Sequence, residues 1–455
     1  MPYREERASK GGHSDLVRNP DVSGFLGQCD YITEPTLEEA EKIASTFENI
    51  DVDEDLPLKV VASDASPYSD PINGMFPSTQ VGYVKVSLVL IDVNDYSGLS
   101  KPGTRFVDPF KVAEMHRNAD AISFVLPGAN VKYKSAATVA DGFRRAVWEQ
   151  LSDHRTQMAN DVKFNVASTL LAIEDSRTIT IEKCPSCGES EEFLFANLEQ
   201  QHHCKSCGEE VFLTDSLRLH EQMSEYGDNT SSITRFMNVI EHLTMATLIR
   251  MLGHHQPESL SSMSFLIDGP LAIFGQPARI HARLMQLYFK IGQYLQKKGL
   301  PTPVILGIQK SGQAAEHAKS ISRYLKPGSI KIIDDDYRAR WIKGSDSKTD
   351  NFGHETYYGQ DFIYKTPSGK IFTLALPYPY EKKFSRTEFA VEKAKFESYS
   401  GTLSRALKLI QFFELELYED AVVPVALAHR HASISLVPGG KVLDLVTKHG
   451  LNVKK

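Results

Sequence analysis

Two sets of side chains in this chain could do chemistry. The first is Cys184-Pro185-Ser186-Cys187 and Cys204-Lys205-Ser206-Cys207, two CxxC knuckles. The gap runs from residue 188 to 203, hence 16 residues, inside the window of four-cysteine zinc sites. Two thiolates on one tight turn can grip one tetrahedral ion. Gly188 and Gly208 follow the knuckles, where a turn gains from a residue free to take positive φ. His202 and His203 stand beside the second knuckle and could replace a cysteine, but four thiolates already fill a tetrahedral shell. A closed shell leaves no position for water, so the Zn²⁺ is expected to be structural. A redox dithiol needs one CxxC in a thioredoxin-like setting, and neither condition holds. Cys29 is left over as an inert thiol.

The second set is made of carboxylates at strand ends. Asp64 closes the apolar run LKVVAS, and Asp268 closes SFLI. Hard oxygens on neighbouring strands suit Mg²⁺ or Mn²⁺, and paired cations can activate water for phosphodiester cleavage. The plain alternative is turn chemistry, since Asp before Gly or Ser is a common turn former. Glu241 lies in the helical stretch TRFMNVIEHLTMATLIRML, bordering an apolar stripe of Met237, Ile240, Thr244 and Leu248. A half-buried Glu needs a partner, either a cation or a salt bridge. His429 and His431 stand in VALAHRHASIS, where an imidazole can bind Mn²⁺ or serve the helix dipole. Lys310 follows the strand VILGIQ and could meet a phosphate or simply be solvated. Asp334-Asp335-Asp336 is read as an exposed turn.

The elements that must position these residues are legible in outline. Pro35 to Asn49 reads as a helix, Leu58 to Asp64 and Gln80 to Val93 as strands, and Ala121 to Val131 as a third. Ala136 to Glu174 is helical in pattern. Past the cysteines, Asp215–Glu225 and Ser232–Leu252 read as helices. Then Ser264–Ile267 (strand), Ala278–Lys298 (helix), Val304–Ile308 (strand), Ala314–Leu325 (helix) and Ser329–Ile333 (strand) alternate as in an α/β layer. Residues 354–380 read as a hairpin turning at Pro367-Ser368-Gly369. Helices at 400–415 and 421–430 precede a final strand pair around Val437-Pro438-Gly439-Gly440.

The chain has 455 residues, 24% charged and 41% hydrophobic, with a formal net charge of −7. This is globular composition, and the charge excludes a general nucleic-acid coat, so any phosphate contact must be local. The basic pairs Arg144-Arg145, Lys297-Lys298, Lys382-Lys383 with Arg386, and Lys454-Lys455 are scattered and read as solvated faces. Five cysteines are no disulfide scaffold. The N-terminus lacks an apolar signal core, and no stretch approaches a membrane span, so a soluble cytoplasmic protein is expected.

Taken in order, Asp64 in VVASDAS, Glu241 on its helix, Asp268 in LIDGPLA, Lys310 in GIQKSG and His429 in LAHRHA resemble the NurA nucleases. The resemblance spans about residue 56 to the C-terminus. It implies an RNase H-like α/β fold, a mixed sheet flanked by helices with the zinc ribbon inserted. It also implies Mn²⁺-dependent DNA cleavage, a homodimer, and a HerA-like hexameric ATPase as partner. The implied domains are an acidic, helical extension over 1–55, a nuclease domain over 56–455 and a ribbon over 180–214. Asp64, Glu241, Asp268 and His429 would hold the metal, with Lys310 beside the scissile phosphate. Two departures stand out: the family's Asp-Gly-Ser is Asp64-Ala65-Ser66 here, and AVVPVALAH has no tyrosine ahead of the histidine, the nearest being Tyr418. The ribbon is expected to project from the core as a DNA or partner contact. Two other readings compete. One is a non-catalytic zinc-ribbon adaptor on an RNase H-like body. The other is a stand-alone enzyme on small phosphate esters, disfavoured because no glycine-rich phosphate loop is present.

Overall fold

Runs of β-branched residues build one large mixed sheet. A computed structural model describes residues 14–29, 33–73, 76–99, 119–344, 352–414, 421–434 and 443. Its strands are β1 (Glu48–Asn49), β2 (Lys59–Asn73), β3 (Phe76–Asp92), β4 (Ala119–Pro127), the ribbon strands β5 to β8, then β9 (Met263–Asp268), β10 (Val304–Gln309), β11 (Ser329–Ile332), β12 (Gly359–Lys365) and β13 (Ile371–Pro377). The nine-stranded sheet runs β1-β11-β12-β13-β10-β9-β2-β3-β4. β2, β9 and β10 are mutually parallel; the other neighbours are antiparallel. The stretch β4-β3-β2-β9-β10 has the strand order and directions of an RNase H-like sheet.

The labelled helices are α1 (Leu37–Ala44), α2 (Val139–Ser152), α3 (Val166–Ala172), α4 (Thr230–His255), α5 (Ile280–Lys297), α6 (Gln313–Ile321), α7 (Ser400–Phe413) and α8 (Val423–Ala432). They cover both faces of the sheet. Because side chains alternate along a strand, Val61, Phe265, Ile267 and Ile305 pack with Ile240 and Leu243 of α4. Val60, Ala62, Leu266 and Ile308 pack with Leu403 and Leu407 of α7 and Val425 and Ala428 of α8. β10 is buried along its whole length, which explains its unbroken apolar sequence. No helix among the described residues is long and apolar enough to cross a membrane.

Several element boundaries differ from the sequence reading. β2 does not end at Asp64 but continues to Asn73, because β3 keeps pairing with it after β9 has stopped. The run 136–174 is two helices joined by 3-10 turns, since Asp153 and Asp161 each accept from the backbone two residues on, and Asn165 caps α3. Residues 36–50 form α1, opened by a Thr36–Glu39 capping box, and β1, which pairs with β11. Ile43 of α1 is buried against Ala318 and Ile321 of α6. The strand pair expected around Val437 and the tyrosine at 418 lie outside the described residues.

The cysteine segment folds as two hairpins, β5 (Ile179–Lys183) with β6 (Ser190–Phe195), and β7 (His202–His203) with β8 (Glu210–Val211). It does not simply project. Cys184, Phe193, Phe195, Cys204 and Val211 belong to the main hydrophobic cluster with Phe143, Val147 and Leu170. Arg144 on α2 bolts this junction. Its guanidinium donates to Asp215 Oδ1 and Oδ2 at 2.9 and 2.7 Å, to Asp141 Oδ1 at 2.8 Å and to the Glu210 carbonyl at 2.6 Å. It is therefore no solvated face, as the pair Arg144-Arg145 had suggested. Removing one partner of a buried ionic group leaves the others uncompensated. Arg144→Ala is expected to cost about 3–5 kcal/mol in urea unfolding, whereas Arg145→Ala should cost under about 0.5 kcal/mol.

Candidate functional site

The register places the two aspartates. The β2–β9 ladder closes on Ser63 opposite Ile267, so Asp64 and Asp268 come side by side just beyond it. Both point to the α7/α8 face, as Ala62 and Leu266 do. Asp268 sits opposite Ile308 of β10, and Lys310, two residues on, donates its Nζ to Asp268 Oδ2. α8 crosses this end of the sheet, pinned by Ser87 Oγ donating to the Ala428 carbonyl at 3.0 Å. That pin sets His429 over the acids. Its Nδ1 lies 3.0 Å from Asp64 Oδ2 and 3.9 Å from Asp268 Oδ2. One ligand atom each from Asp64, Asp268 and His429 falls within 4.8 Å of the others. His431, also on α8, is not in this cluster.

Glu241 approaches from the other face. It is buried on α4, accepts from Ser63 Oγ at 3.3 Å and from the backbone N–H of Asp268. The carboxylate thus stands behind the two aspartates and outside the three-residue ligand cluster. Ser63 is the contributor the sequence reading passed over. The alternation along VVASD places it on the α4 face, one residue before the acid.

Burial and mutual repulsion dominate the electrostatics. Burial, then the Asp268 charge, pushes the Asp64 carboxyl up to about 8, against the opposing pull of Lys310. Burial and the two aspartates hold Glu241 well above the usual carboxylate range. Two carboxylates and an imidazole are an oxygen-and-nitrogen donor set that suits Mn²⁺ or Mg²⁺, and a cation would relieve this crowding. The residues fit the metal.

A pH dependence follows. Folding raises the Asp64 carboxyl, so between pH ~4 and ~8 the folded chain holds a proton that the unfolded chain has released. Metal-free stability therefore falls as pH rises through that window. A cation that replaces the proton should raise the melting temperature more at pH 8 than at pH 6. Differential scanning fluorimetry with and without Mn²⁺ checks this; equal shifts at both pH values would contradict it.

The four cysteines also converge. Sγ of Cys184 lies 3.7 Å from that of Cys207, and Cys187 is likewise 3.7 Å from Cys204. All four sulfurs fall within 4.8 Å of one another. The two knuckles repeat one backbone pattern. Gly188 N–H donates to the Cys184 carbonyl and Gly208 N–H to the Cys204 carbonyl, with φ of 77° and 76°. Neither histidine joins them. His202 sets its ring edge-on to Phe195, 4.7 Å between centroids, and bonds the Leu194 carbonyl through Nε2.

Other sequence expectations resolve as structure. Lys383 is not solvated: its Nζ donates to the carbonyls of Gly353, His354 and Tyr357, and burial pulls its ammonium down to about 7. Asp335 is not merely an exposed turn residue, since it accepts from the buried Lys393 at 2.7 Å. Cys29 is exposed, and its thiol donates to the Phe25 carbonyl.

No family model matches the chain, and no curated protein matches it. Among solved structures, the crystal structure of the NurA nuclease from Sulfolobus solfataricus is similar to it. The match covers 98% of this chain and 99% of that chain, with 10% sequence identity and a TM-score of 0.37.

Proposed function

We propose that the chain is a metal-dependent DNA nuclease. One observation carries this reading: Asp64, Asp268 and His429, drawn from β2, β9 and α8, converge within 4.8 Å beside Lys310. Turn-forming aspartates would have no reason to share a face or to meet a histidine from 365 residues away. In this reading Asp64, Asp268 and His429 hold Mn²⁺ or Mg²⁺, and Glu241 supports them from behind. Bound there, divalent cations would activate water and neutralise charge on the scissile phosphate and leaving oxygen. Lys310, held by Asp268, offers its ammonium to the same phosphate. Ser63 fixes the Glu241 carboxylate, and the Ser87 contact fixes the height of His429.

The four cysteines hold a structural Zn²⁺ in this reading, in the cytoplasm, where thiols stay reduced. The net charge of −7 calls for DNA delivered by a partner. A homodimer working with a HerA-like ATPase, in end processing or in defence against foreign DNA, meets that need. The competing adaptor reading draws on both departures, Ala65 in place of glycine and the missing tyrosine ahead of His429, and the structure bears on the first. Ala65 lies in the regular β2–β3 ladder opposite Val86, where alanine is no handicap. The test is cleavage of single- and double-stranded DNA with Mn²⁺ by wild type, Asp64→Asn and Asp268→Asn. Undiminished cleavage by the variants would sink the reading; tight Mn²⁺-independent binding without hydrolysis by wild type would favour the adaptor.

A further inference from the structure

We infer that Tyr358 is a positioning residue: through His242 it fixes the roll of α4 and so holds the Glu241 carboxylate against the Asp268 end of the metal site. The inference rests on the nuclease reading and adds a residue that belongs to none of the elements carrying the acids.

Roll is what packing leaves loose. Ile240 and Leu243 seat α4 on Val61, Phe265 and Ile267 of the sheet. Apolar burial is non-directional, so it resists lifting a helix more than turning it. Glu241 can bond Ser63 Oγ at 3.3 Å and the Asp268 N–H only at one roll angle. Side-chain tips lie about 5–6 Å from a helix axis, so a roll of about 20° would carry the carboxylate by about 2 Å. That is enough to break both bonds. A directional contact must set the angle.

One face of α4 carries such contacts. Arg235, Asn238 and His242 lie at i, i+3 and i+7, and all three bond the chain that leaves Asp268 or a residue joined to it. Arg235 donates to Gln276 Oε1. Asn238 Nδ2 donates to the Ala272 carbonyl and its Oδ1 accepts from Phe274 N–H, both at 3.4 Å. His242 Nδ1 bonds Tyr358 Oη at 2.6 Å. Tyr358 in turn donates its N–H to the Leu271 carbonyl, and its carbonyl accepts from Tyr378 N–H, both at 2.9 Å. Its backbone is thus tied to the loop leaving Asp268, and its side chain to the residue beside Glu241.

Magnitudes single out the last contact. The Asn238 bonds are long, and Arg235 and Asn238 are half-buried. His242 and Tyr358 are 2% and 0% exposed, so water cannot replace either partner. Neighbouring residues of a helix project about 100° apart. A bond held at His242 therefore fixes the direction in which Glu241 points. Partners standing behind a metal's own ligands commonly govern affinity in this way. A nearby hydroxyl supplies the control. Tyr288 packs its ring 6.0 Å from that of Tyr358, yet its own hydroxyl is buried with no hydrogen-bond partner among the described residues.

The experiment uses full-length protein and three readouts. They are metal-free hydrogen exchange of the peptide spanning 263–270, Mn²⁺ affinity by calorimetry, and kcat and KM on a labelled oligonucleotide. Tyr358→Phe should speed exchange of the Asp268 amide, weaken Mn²⁺ binding about 10-fold and lower kcat with KM unchanged. Tyr288→Phe, which removes an equally buried hydroxyl, should leave all three as in wild type. His242→Asn should keep Mn²⁺ affinity, because its amide still offers the Tyr358 hydroxyl a partner; His242→Leu should not. In the double variant Tyr358→Phe/His242→Leu no polar partner is stranded, so the melting temperature should return towards wild type while Mn²⁺ affinity stays low. Recovery of affinity together with stability overturns the inference and makes the bond purely structural. Unchanged amide exchange and Mn²⁺ affinity in Tyr358→Phe overturn it as well. If wild type neither binds Mn²⁺ nor cleaves, the nuclease reading fails, and the amide exchange alone still decides whether Tyr358 holds Glu241.

Discussion

Asp64→Asn and Asp268→Asn are each expected to lower the proposed Mn²⁺-dependent DNA cleavage by about three orders of magnitude, on the scale of several kcal/mol of lost transition-state stabilisation. The amide keeps the volume of the carboxylate but cannot supply an anionic oxygen to a hard cation. Lost activity alone would not separate a catalytic role from a folding defect, and the charge arrangement supplies the separation. Asp64 is crowded by Asp268, and both crowd Glu241 behind them. Removing the Asp64 charge relieves that repulsion. Metal-free Asp64→Asn should therefore melt a few degrees above wild type at pH 8. The gap should close towards pH 5, where the wild-type carboxyl is already protonated. A variant that is inactive yet more stable at high pH supports the metal site; one that is inactive and less stable at every pH would make these acids structural. Mn²⁺ should restore the wild type and leave the variant unmoved.

Much of this site was legible in the sequence because strands announce where they stop being apolar. VVASD and FLID each end in an acid as the core ends, and both acids lie at the close of the β2–β9 ladder. The helical stripe containing Glu241 was equally plain, but its periodicity could not say which end of the sheet the glutamate would meet. That depends on α4 lying under β2 and β9, a tertiary choice. The approach of His429 depends on one contact, Ser87 to the Ala428 carbonyl, between groups 341 residues apart. The extent of β2 was misread for a related reason. Beyond Asp64 its sequence, ASPYSDP, is poor in strand formers, and only pairing with β3 keeps it extended. Basic residues misled in the other direction. Composition makes every Lys or Arg look solvated, yet Arg144 and Lys383 are committed to buried oxygens.

The cysteine spacing predicted the ribbon but not its consequence for the rest of the fold, and that consequence sets the last expectation. Cys184 and Cys204 are each 2% exposed and share one hydrophobic cluster with Phe193, Phe195 and Val211 from the ribbon and Phe143 and Val147 from α2. Four sulfurs this close repel once ionised unless a cation holds them, and burial already pushes the Cys184 thiol up to about 12. Structural zinc in small modules is worth about 10–16 kcal/mol of apparent folding free energy. Here losing it would open not an appendage but one wall of the core on which α2 and, through Arg144, the β8 strand depend. Cys204→Ser, or zinc stripped by a strong chelator, should lower the melting temperature by about 10 °C or more and make the protein aggregate, on the scale of losing several kcal/mol. Metal analysis of wild type should find one zinc per chain, and Cys29→Ser, at the exposed fifth cysteine, should change neither zinc content nor melting temperature. A projecting ribbon would give the opposite result: zinc lost, the main transition unmoved, and cleavage at Asp64 and Asp268 intact.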